Sequence, residues 1–141
     1  MCEIIQQDLK NLDTIQINLL KESCIKIDNN DNVLGSCSKM ELHQWNNINN
    51  DNLLHRAFSV FCFDNIGRLL IQKWAETKIT FPLYWANTCC SHPLYIDKEM
   101  IIENNLGVIN AAIRKLNHEL GIDDNQISID DFQFITKIHY K

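Results

Sequence analysis

The stretch from Gly107 to Leu120 constrains the fold of this chain more than any other part of its sequence. Apolar residues recur there at the i, i+3, i+4 and i+7 spacing of an amphipathic helix, at Ile109, Ala112, Ile113, Leu116 and Leu120. Gly121 follows as a residue that readily ends a helix. Runs typical of strands lie on both sides of this helix, and the turns between them favour hairpins. The sequence therefore predicts an α+β fold in which helices pack on a mixed sheet.

The first third of the chain predicts two short helices and a hairpin. Helices are expected over residues 13–20 and 38–45, because Asp13, Thr14 and Ser38 are good capping residues. Residues 24–35 alternate like two strands joined by an Asp- and Asn-rich turn. The polar run 46–52 is interpreted as a loop.

The middle of the chain predicts a buried hairpin. Residues 54–63 are apolar on both faces, which is typical of a central strand covered on both sides. A turn at residues 64–67 leads into a return strand over 68–74, and residues 78–88 form a loop and strand. Residues 132–140 are predicted to add another strand.

Composition limits the class of protein. The chain has 141 residues, 45% of them apolar and 22% charged, which favours a single packed domain over residues 1–141. Its net charge of −5 and lack of a basic block argue against non-specific nucleic-acid binding. The acidic N-terminus lacks the apolar core of a secretory signal, so we interpret the six cysteines as reduced thiols of a cytoplasmic protein. The run 57–63 is too short to span a bilayer.

A thiol and an imidazole lie two residues apart in the run Asn-Thr-Cys-Cys-Ser-His-Pro-Leu, residues 87–94. Cys90 and His92 are residue types that exchange protons or bind metals, and Ser91 lies between them. Cys90 is thus a candidate catalytic thiol, with a small buried hydrophobic residue as the alternative. Cys89 is expected to point the other way in an extended segment and to serve packing.

Five further residues are candidates for metal or anion binding. His43, His55 and His92 come from separate predicted elements and can share a metal only if the fold brings them together; otherwise they are unrelated histidines. Glu119 is a candidate ligand for a diphosphate-bound cation, or else a solvated partner of Lys115. Lys39 and Lys78 are candidate diphosphate contacts, or else ordinary surface lysines.

The chain resembles the type 1 isopentenyl diphosphate isomerases over nearly all of its length beyond Leu12. The resemblance rests on runs that follow one another along the chain: residues 27–32, 53–61, 78–82, 87–94, 111–115 with 119–121, and 138–141. The most specific of them is the Thr-Cys-Cys-Ser-His-Pro-Leu run. The resemblance implies a Nudix-like α/β/α fold and the interconversion of isopentenyl and dimethylallyl diphosphate, a small-molecule substrate pair, by a protein expected to be monomeric and cytoplasmic or peroxisomal.

The resemblance also implies a role for each candidate residue. Cys90 matches the family's catalytic cysteine, and Ser91, Lys39 and Lys78 match substrate-binding positions. The metal-binding positions of the family are matched by His43, His55, His92 and Glu119. The implied cofactor is Mg²⁺, with Mn²⁺ or Zn²⁺ as alternatives at the histidines.

Three departures from the family pattern affect these expectations. Lys141 precedes the place where the family continues into a segment with two more metal-binding glutamates, one of them catalytic, so we expect this chain alone to isomerise very poorly or not at all. Trp74 stands where the family usually has a diphosphate-binding arginine. Leu83 replaces a glycine and is expected to disturb its loop if that position needs special backbone angles.

Two other functions are compatible with the resemblance. A degenerate paralogue would keep diphosphate or metal binding without catalysis, which Trp74 and Leu83 favour. A Nudix hydrolase would need acids where Lys115 and His118 stand. It would also need Gly and Glu in place of Met100 and Leu106, so we rank it below the isomerase.

Overall fold

The first predicted helix is confirmed. The structure is a computed structural model that describes residues 13–50 and 53–139. Helix α1 spans Thr14–Leu20, and the Asp13 side chain caps it by accepting hydrogen bonds from the amides of Ile15 and Gln16. Leu20, at the end of α1, is buried. Asp13 therefore fixes the start of the helix locally, and Leu20 attaches its end to the core.

The first hairpin is also confirmed. Strands β1 (Ser23–Ile27) and β2 (Val33–Ser38) pair antiparallel. Asp28 shapes the turn, because its Oδ1 accepts hydrogen bonds from the amides of Asn30 and Asn32, both at 2.8 Å. Residues Cys24 and Ile25 of β1 are completely buried, so this strand lies at the core of the fold.

The predicted helix over residues 38–45 is interrupted. Helix α2 spans only Lys39–Leu42, with Ser38 and Glu41 forming a reciprocal capping box, and α3 spans Trp45–Asn50. The loop predicted over residues 46–52 was therefore wrong for 46–50, while 51–52 lie outside the described residues. The break leaves His43 at the C-terminus of α2, where its ring is held by the Lys39 carbonyl.

The expected central strand over residues 54–63 was wrong. Two short strands replace it: β3 (Leu54–His55) pairs with β1, and β4 (Phe58–Val60) pairs with a later strand. Between them Arg56 bonds Asp31 of the first hairpin, 2.8 Å from Nη2 to Oδ1, and its amide donates to the carbonyl of Ile25 in β1 at 3.0 Å. Phe61 and Phe63 are 48% and 57% exposed, so the apolar run is not covered on both sides.

The second hairpin forms, with less regular pairing than predicted. Its turn closes with the Gly67 amide bonded to the Asp64 carbonyl at 3.0 Å, and Gly67 has φ +81°. The return strand shortens to β5 (Ile71–Lys73), preceded by one bridge between Phe63 and Leu69. β5 pairs antiparallel with β6 (Trp85–Asn87).

The last predicted strand is wrong and the long helix is confirmed. Strand β7 (Cys89–Ser91) pairs with β4 and leads to helices α4 (Asp97–Met100) and α5 (Leu106–Leu120). Gly121 ends α5 with φ +69°. Residues 132–139 form neither helix nor strand, since none of the described strands pairs with them; all but the half-buried Phe132 are exposed, and Tyr140 lies outside the described residues.

The architecture is α+β, and the pairings of the described strands are all antiparallel rather than mixed. A three-stranded sheet of order β2-β1-β3 is accompanied by the pairs β4-β7 and β5-β6. Helix α5 packs on β7, and its buried face meets the core, whose apolar members are Leu20, Cys24, Ile25, Leu42, Cys89, Ala111, Ala112 and Leu116. Within the described ranges, no helix has both the length and the hydropathy needed to cross a membrane.

Candidate active site

The Asn-Thr pair before the cysteines fixes the loop that carries them. Thr88 is completely buried; its Oγ1 donates to the Leu70 carbonyl at 2.7 Å and accepts from the Cys62 amide at 2.8 Å. Asn87 Nδ2 donates to the carbonyls of Val60 and Cys89, both at 2.9 Å. These bonds join the second hairpin to β7 and leave little freedom to the segment that holds the thiols.

Strand β7 separates the two neighbouring cysteines, as the sequence predicts. Cys89 is completely buried, whereas Cys90 is exposed and Ser91 is buried again. Burial raises the pKa of the Cys89 thiol to about 12, with the nearby Glu119 carboxylate adding to the effect. Cys90 lies opposite Ser59 in the β4–β7 pairing, with 3.6 Å between Sγ and Oγ. Of these two cysteines, Cys90 is therefore the accessible thiol.

Three histidines from separate elements meet in one cluster. His43 ends α2, His55 ends β3 and His92 follows β7. Their ring centroids are 4.9–5.3 Å apart, and one ligand nitrogen from each lies within 4.8 Å of the others. The three histidines are therefore neighbours in the fold, and the alternative that they are unrelated is wrong.

The cluster fits a divalent metal with nitrogen ligands. The pKa of each imidazole is lowered by burial, to about 4 for His55 and well below its usual value for His92, which keeps the rings neutral as metal ligands must be. His43 Nδ1 is held by the Lys39 carbonyl at 2.7 Å, which fixes the orientation of that ring. His92 Nδ1 is buried without a hydrogen-bond partner in the protein, an arrangement that a bound ion would relieve.

A cavity of about 80 Å³ adjoins the cluster, and His43 lines it. The other candidate residues that line this cavity are Lys39, Lys78, Cys90, Ser91 and Glu119. One cavity is thus lined by a thiol, an imidazole, two ammonium groups and a carboxylate. His55 and His92 contact the ring of His43, which lines the cavity.

The basic side chains of the cavity are more enclosed than surface lysines. Burial lowers the pKa of the Lys39 ammonium, partly offset by the charge of Glu22. Lys78 Nζ lies 5.0 Å from the centroid of the Trp74 ring, within the range of a cation–π interaction. Lys115 lines the cavity as well and is only 3% exposed. Enclosed cations of this kind are suited to an anion.

Glu119 lines the cavity but is not part of the histidine cluster. Its Oε1 lies 3.2 Å from Lys115 Nζ, and its Oε2 accepts a hydrogen bond from Gln72 Nε2 at 3.1 Å. Burial raises the pKa of this carboxyl, but the bond from Gln72 and the charges of Lys115 and Lys78 outweigh burial and lower it overall. The carboxylate is therefore ionised and already partnered by protein groups.

Sequence reasoning missed Lys115 and Gln72. Lys115 was interpreted as one half of a solvated pair with Glu119; the pair exists, but the lysine is buried. The signal was present, since Lys115 follows the buried Ala111 by four residues and thus lies on the buried face of α5. Nothing in the local pattern around Gln72 reveals its bond to Glu119, which joins residues 47 positions apart.

These features describe an α+β protein with a cluster of three histidines that could hold a metal ion and a basic cavity beside an accessible thiol. Comparison with known proteins agrees. The chain is 56% identical over 135 residues to an isopentenyl-diphosphate Delta-isomerase of Dictyostelium discoideum, covering 95% of this chain and 56% of that protein. It is 53% identical over 138 residues to a protein of the same name from Schizosaccharomyces pombe, covering 96% and 60%. It is 50% identical over 131 residues to isopentenyl-diphosphate Delta-isomerase II of Clarkia breweri, covering 92% and 46%.

The chain is similar to isopentenyl-diphosphate Delta-isomerases over 92–96% of its own length. It spans about half the length of the curated relatives it matches. No protein-family model matches it.

Proposed function

We propose that this chain carries the thiol, the metal ligands and the diphosphate contacts of an isopentenyl-diphosphate isomerase. One observation supports the proposal above all: in a chain 56% identical to such an isomerase, Cys90 and three lysines border the cavity that adjoins the histidine cluster. The proposed reaction interconverts isopentenyl and dimethylallyl diphosphate. We extend the proposal to the layering of the fold, which would follow the Nudix-like α/β/α pattern.

The proposed chemistry moves two protons and breaks no carbon–carbon bond. A proton is added to the terminal methylene carbon of isopentenyl diphosphate, which leaves a tertiary cation at the neighbouring carbon. Loss of a proton from the carbon on its other side then gives dimethylallyl diphosphate. In this scheme Cys90 exchanges one of the two protons, because its side chain is the accessible thiol of β7.

The residues around Cys90 bind and orient the substrate. Lys39, Lys78 and Lys115 would hold the diphosphate, since their ammonium groups line one cavity and partial burial strengthens their attraction for anions. Binding energy from the diphosphate, remote from the reacting carbons, would then position the alkene against the thiol. Ser91, which also lines the cavity, would contact the substrate.

The proposed metal ligands are His43, His55 and His92. Imidazole favours Zn²⁺ over the hard ion Mg²⁺, so we assign Mg²⁺ to the diphosphate, near Glu119. A bound divalent ion would supply positive charge that stabilises the diphosphate and orders the site. The neutral histidines themselves shape one wall of the site beside Lys39.

A chimera tests the proposal. This chain would replace the matching stretch of the Schizosaccharomyces pombe relative, 60% of that protein, so that the rest of the relative is present. We expect the chimera to convert isopentenyl diphosphate to dimethylallyl diphosphate, measured by separating the two products chromatographically. The Cys90→Ala chimera should lose about 10²–10⁴-fold of that rate, the contribution typical of a positioned proton donor. A chimera that folds and has no activity would refute the isomerase proposal.

A diphosphate- and metal-binding protein without isomerase activity is the second candidate. The observation that favours it is the indole of Trp74, which contacts Lys78 and brings no charge of its own. This candidate predicts that the chimera binds pyrophosphate and metal, measured by calorimetry, but gives no product. Calorimetric binding and product analysis of the same chimera therefore distinguish the two candidate functions.

A further inference from the structure

An ion pair with a buried carboxylate joins helices α4 and α5. Arg114 Nε lies 2.6 Å from Glu99 Oε1, and Arg114 Nη2 lies 3.0 Å from Glu99 Oε2. The side chain of Glu99 is only 2% exposed. A buried carboxylate is unfavourable unless it is fully hydrogen-bonded, and here a two-pronged contact with the guanidinium supplies that compensation.

The same two side chains also hold the backbone on both sides of Pro93. Glu99 Oε2 accepts a hydrogen bond from the Leu94 amide at 2.7 Å. Arg114 Nη2 donates to the His92 carbonyl at 3.3 Å. Pro93 itself is among the completely buried residues. The ion pair is therefore hydrogen-bonded to the main chain at His92 and at Leu94.

Close packing of α4 on α5 brings the pair together. A Cβ atom on Gly107 would lie 2.4 Å from the Glu99 carbonyl oxygen and 2.7 Å from that of Ile101. Such contacts are impossible, so glycine is required where α5 begins. This approach places Arg114, two turns further along α5, beside Glu99.

We infer that Glu99 and Arg114 are positioning residues that hold His92 in the orientation needed to bind a metal with His43 and His55. His43 is oriented through its own ring, by the bond from Nδ1 to the Lys39 carbonyl. His92 lacks such a bond at Nδ1, so its ring depends on the backbone that Glu99 and Arg114 hold. The inference rests on the proposed metal-binding role of the histidines.

Metal affinity of the 141-residue chain tests the inference without measuring activity. Co²⁺ binding would be titrated by its visible absorption, and Zn²⁺ affinity by competition, at a temperature where thermal melts show each variant folded. Arg114→Lys keeps a positive charge near Glu99 but loses the second prong that reaches the His92 carbonyl. We expect Arg114→Lys and Glu99→Gln to weaken metal binding about 10–100-fold, the usual effect of residues that orient metal ligands.

Two controls separate positioning from general stability. Leu116→Ala opens the core on the same helix and removes none of the hydrogen bonds that Glu99 and Arg114 make to the 92–94 backbone, so its folded form should keep the wild-type metal affinity. Asp64→Asn removes the ion pair with Arg68 on the exposed second hairpin. This change should leave the metal affinity at its wild-type value. If Glu99→Gln fails to fold, the metal affinities of Arg114→Lys and Arg114→Gln test the inference.

The outcomes distinguish the inference from the function proposed above. Weaker binding in the Glu99 and Arg114 variants, with both controls unchanged, supports it. Wild-type affinity in folded Arg114→Lys and Arg114→Gln, or equal weakening in Leu116→Ala, overturns it and leaves the metal site standing. A wild-type chain that binds neither Co²⁺ nor Zn²⁺ overturns the metal site and the inference together.

Discussion

The amide of Leu83 donates a hydrogen bond to the carbonyl of Trp74 at 3.2 Å, so the two residues that depart from the family pattern within the matched region meet in one hairpin. The Trp74 amide in turn donates to the Tyr84 carbonyl at 2.9 Å. The connecting loop has left-handed backbone at Phe81, with φ +53°, and at Leu83, with φ +64°. Leu83, where the resemblance implies a glycine, therefore keeps the left-handed backbone that favours glycine.

Leu83→Gly should stabilise the protein by up to about 1 kcal/mol. A leucine in the left-handed region costs roughly 1–2 kcal/mol, and glycine removes that cost at the expense of some unfolded-state entropy. Little burial is lost, because Leu83 is 51% exposed. Urea unfolding gives the free energies. Leu34→Gly is the matched control, since Leu34 is 60% exposed in β2 with ordinary strand backbone, and it should destabilise. Equal destabilisation by both changes would contradict strain at Leu83.

Trp74→Arg should tighten pyrophosphate binding about fivefold, or about 1 kcal/mol, the size of one added charged contact. Trp74 contacts the Lys78 ammonium, which lines the cavity, so an arginine at this position adds a second charge beside the proposed anion. Trp74→Phe keeps an aromatic ring for Lys78 and should bind as the wild type does. Calorimetry at low and moderate salt measures the affinities. An unchanged or weaker affinity in Trp74→Arg would show that position 74 does not face the anion.

The metal-free protein should lose stability as the pH falls below about 6.5. Burial lowers the folded-state pKa of His43, His55 and His92, to about 4 for His55, while unfolded histidines titrate near 6.5. Above that pH the rings are neutral in both states and contribute nothing to the pH dependence. Between pH 6.5 and 4 the unfolded chain binds protons that the folded chain does not, so the free energy of unfolding declines.

For His55 alone the loss approaches roughly 3 kcal/mol at the acid end of that window. Urea unfolding in a chelator at pH 7.5, 6.5, 5.5 and 4.5 measures it. His55→Asn, which cannot take up a proton in this range, should flatten the curve. A wild-type stability that is constant from pH 7.5 to 4.5 would mean that the histidines are not buried as a neutral cluster.

Local signals in the sequence predicted the elements that depend on local interactions. The cap at Asp13, the Asp28 turn and the Gly121 terminus all follow from side chains or backbone angles within a few residues. The strand over 54–63 failed because its pairing depends on distant partners. Arg56, which bonds Asp31 25 residues away, lies between β3 and β4, the two strands into which the apolar run divides.

The same distinction applies to the candidate site. The opposite orientations of Cys89 and Cys90 follow from strand alternation, which is a local rule. The meeting of His43, His55 and His92 depends on three separate elements, and only the family resemblance indicated it before the fold was known. The Glu99–Arg114 pair joins residues 15 positions apart across two helices, so no local spacing rule would have connected it with the loop that carries His92.

Replacing the two neighbouring cysteines by alanine should have opposite effects. Cys90→Ala should leave the free energy of unfolding within about 0.5 kcal/mol, because exposed side chains contribute little, and should lower the isomerisation rate of the chimera about 10²–10⁴-fold. Cys89→Ala should lower the free energy of unfolding by about 1 kcal/mol, since a completely buried sulfur is lost, and should leave much of the rate. Urea unfolding and product analysis measure the two quantities.

Thiol labelling provides an independent check on the same pair. Iodoacetamide should modify Cys90 in the folded chain, whereas Cys89 should resist it because it is buried and its pKa is raised to about 12. Tandem mass spectrometry of the peptide that contains both residues locates the label. Pyrophosphate with a divalent metal should slow labelling of Cys90 and not that of Cys62, which is exposed and is not among the residues lining the cavity. Equal loss of activity in the two alanine variants, or equal protection of Cys62, would contradict the assignment of Cys90 as the reactive thiol.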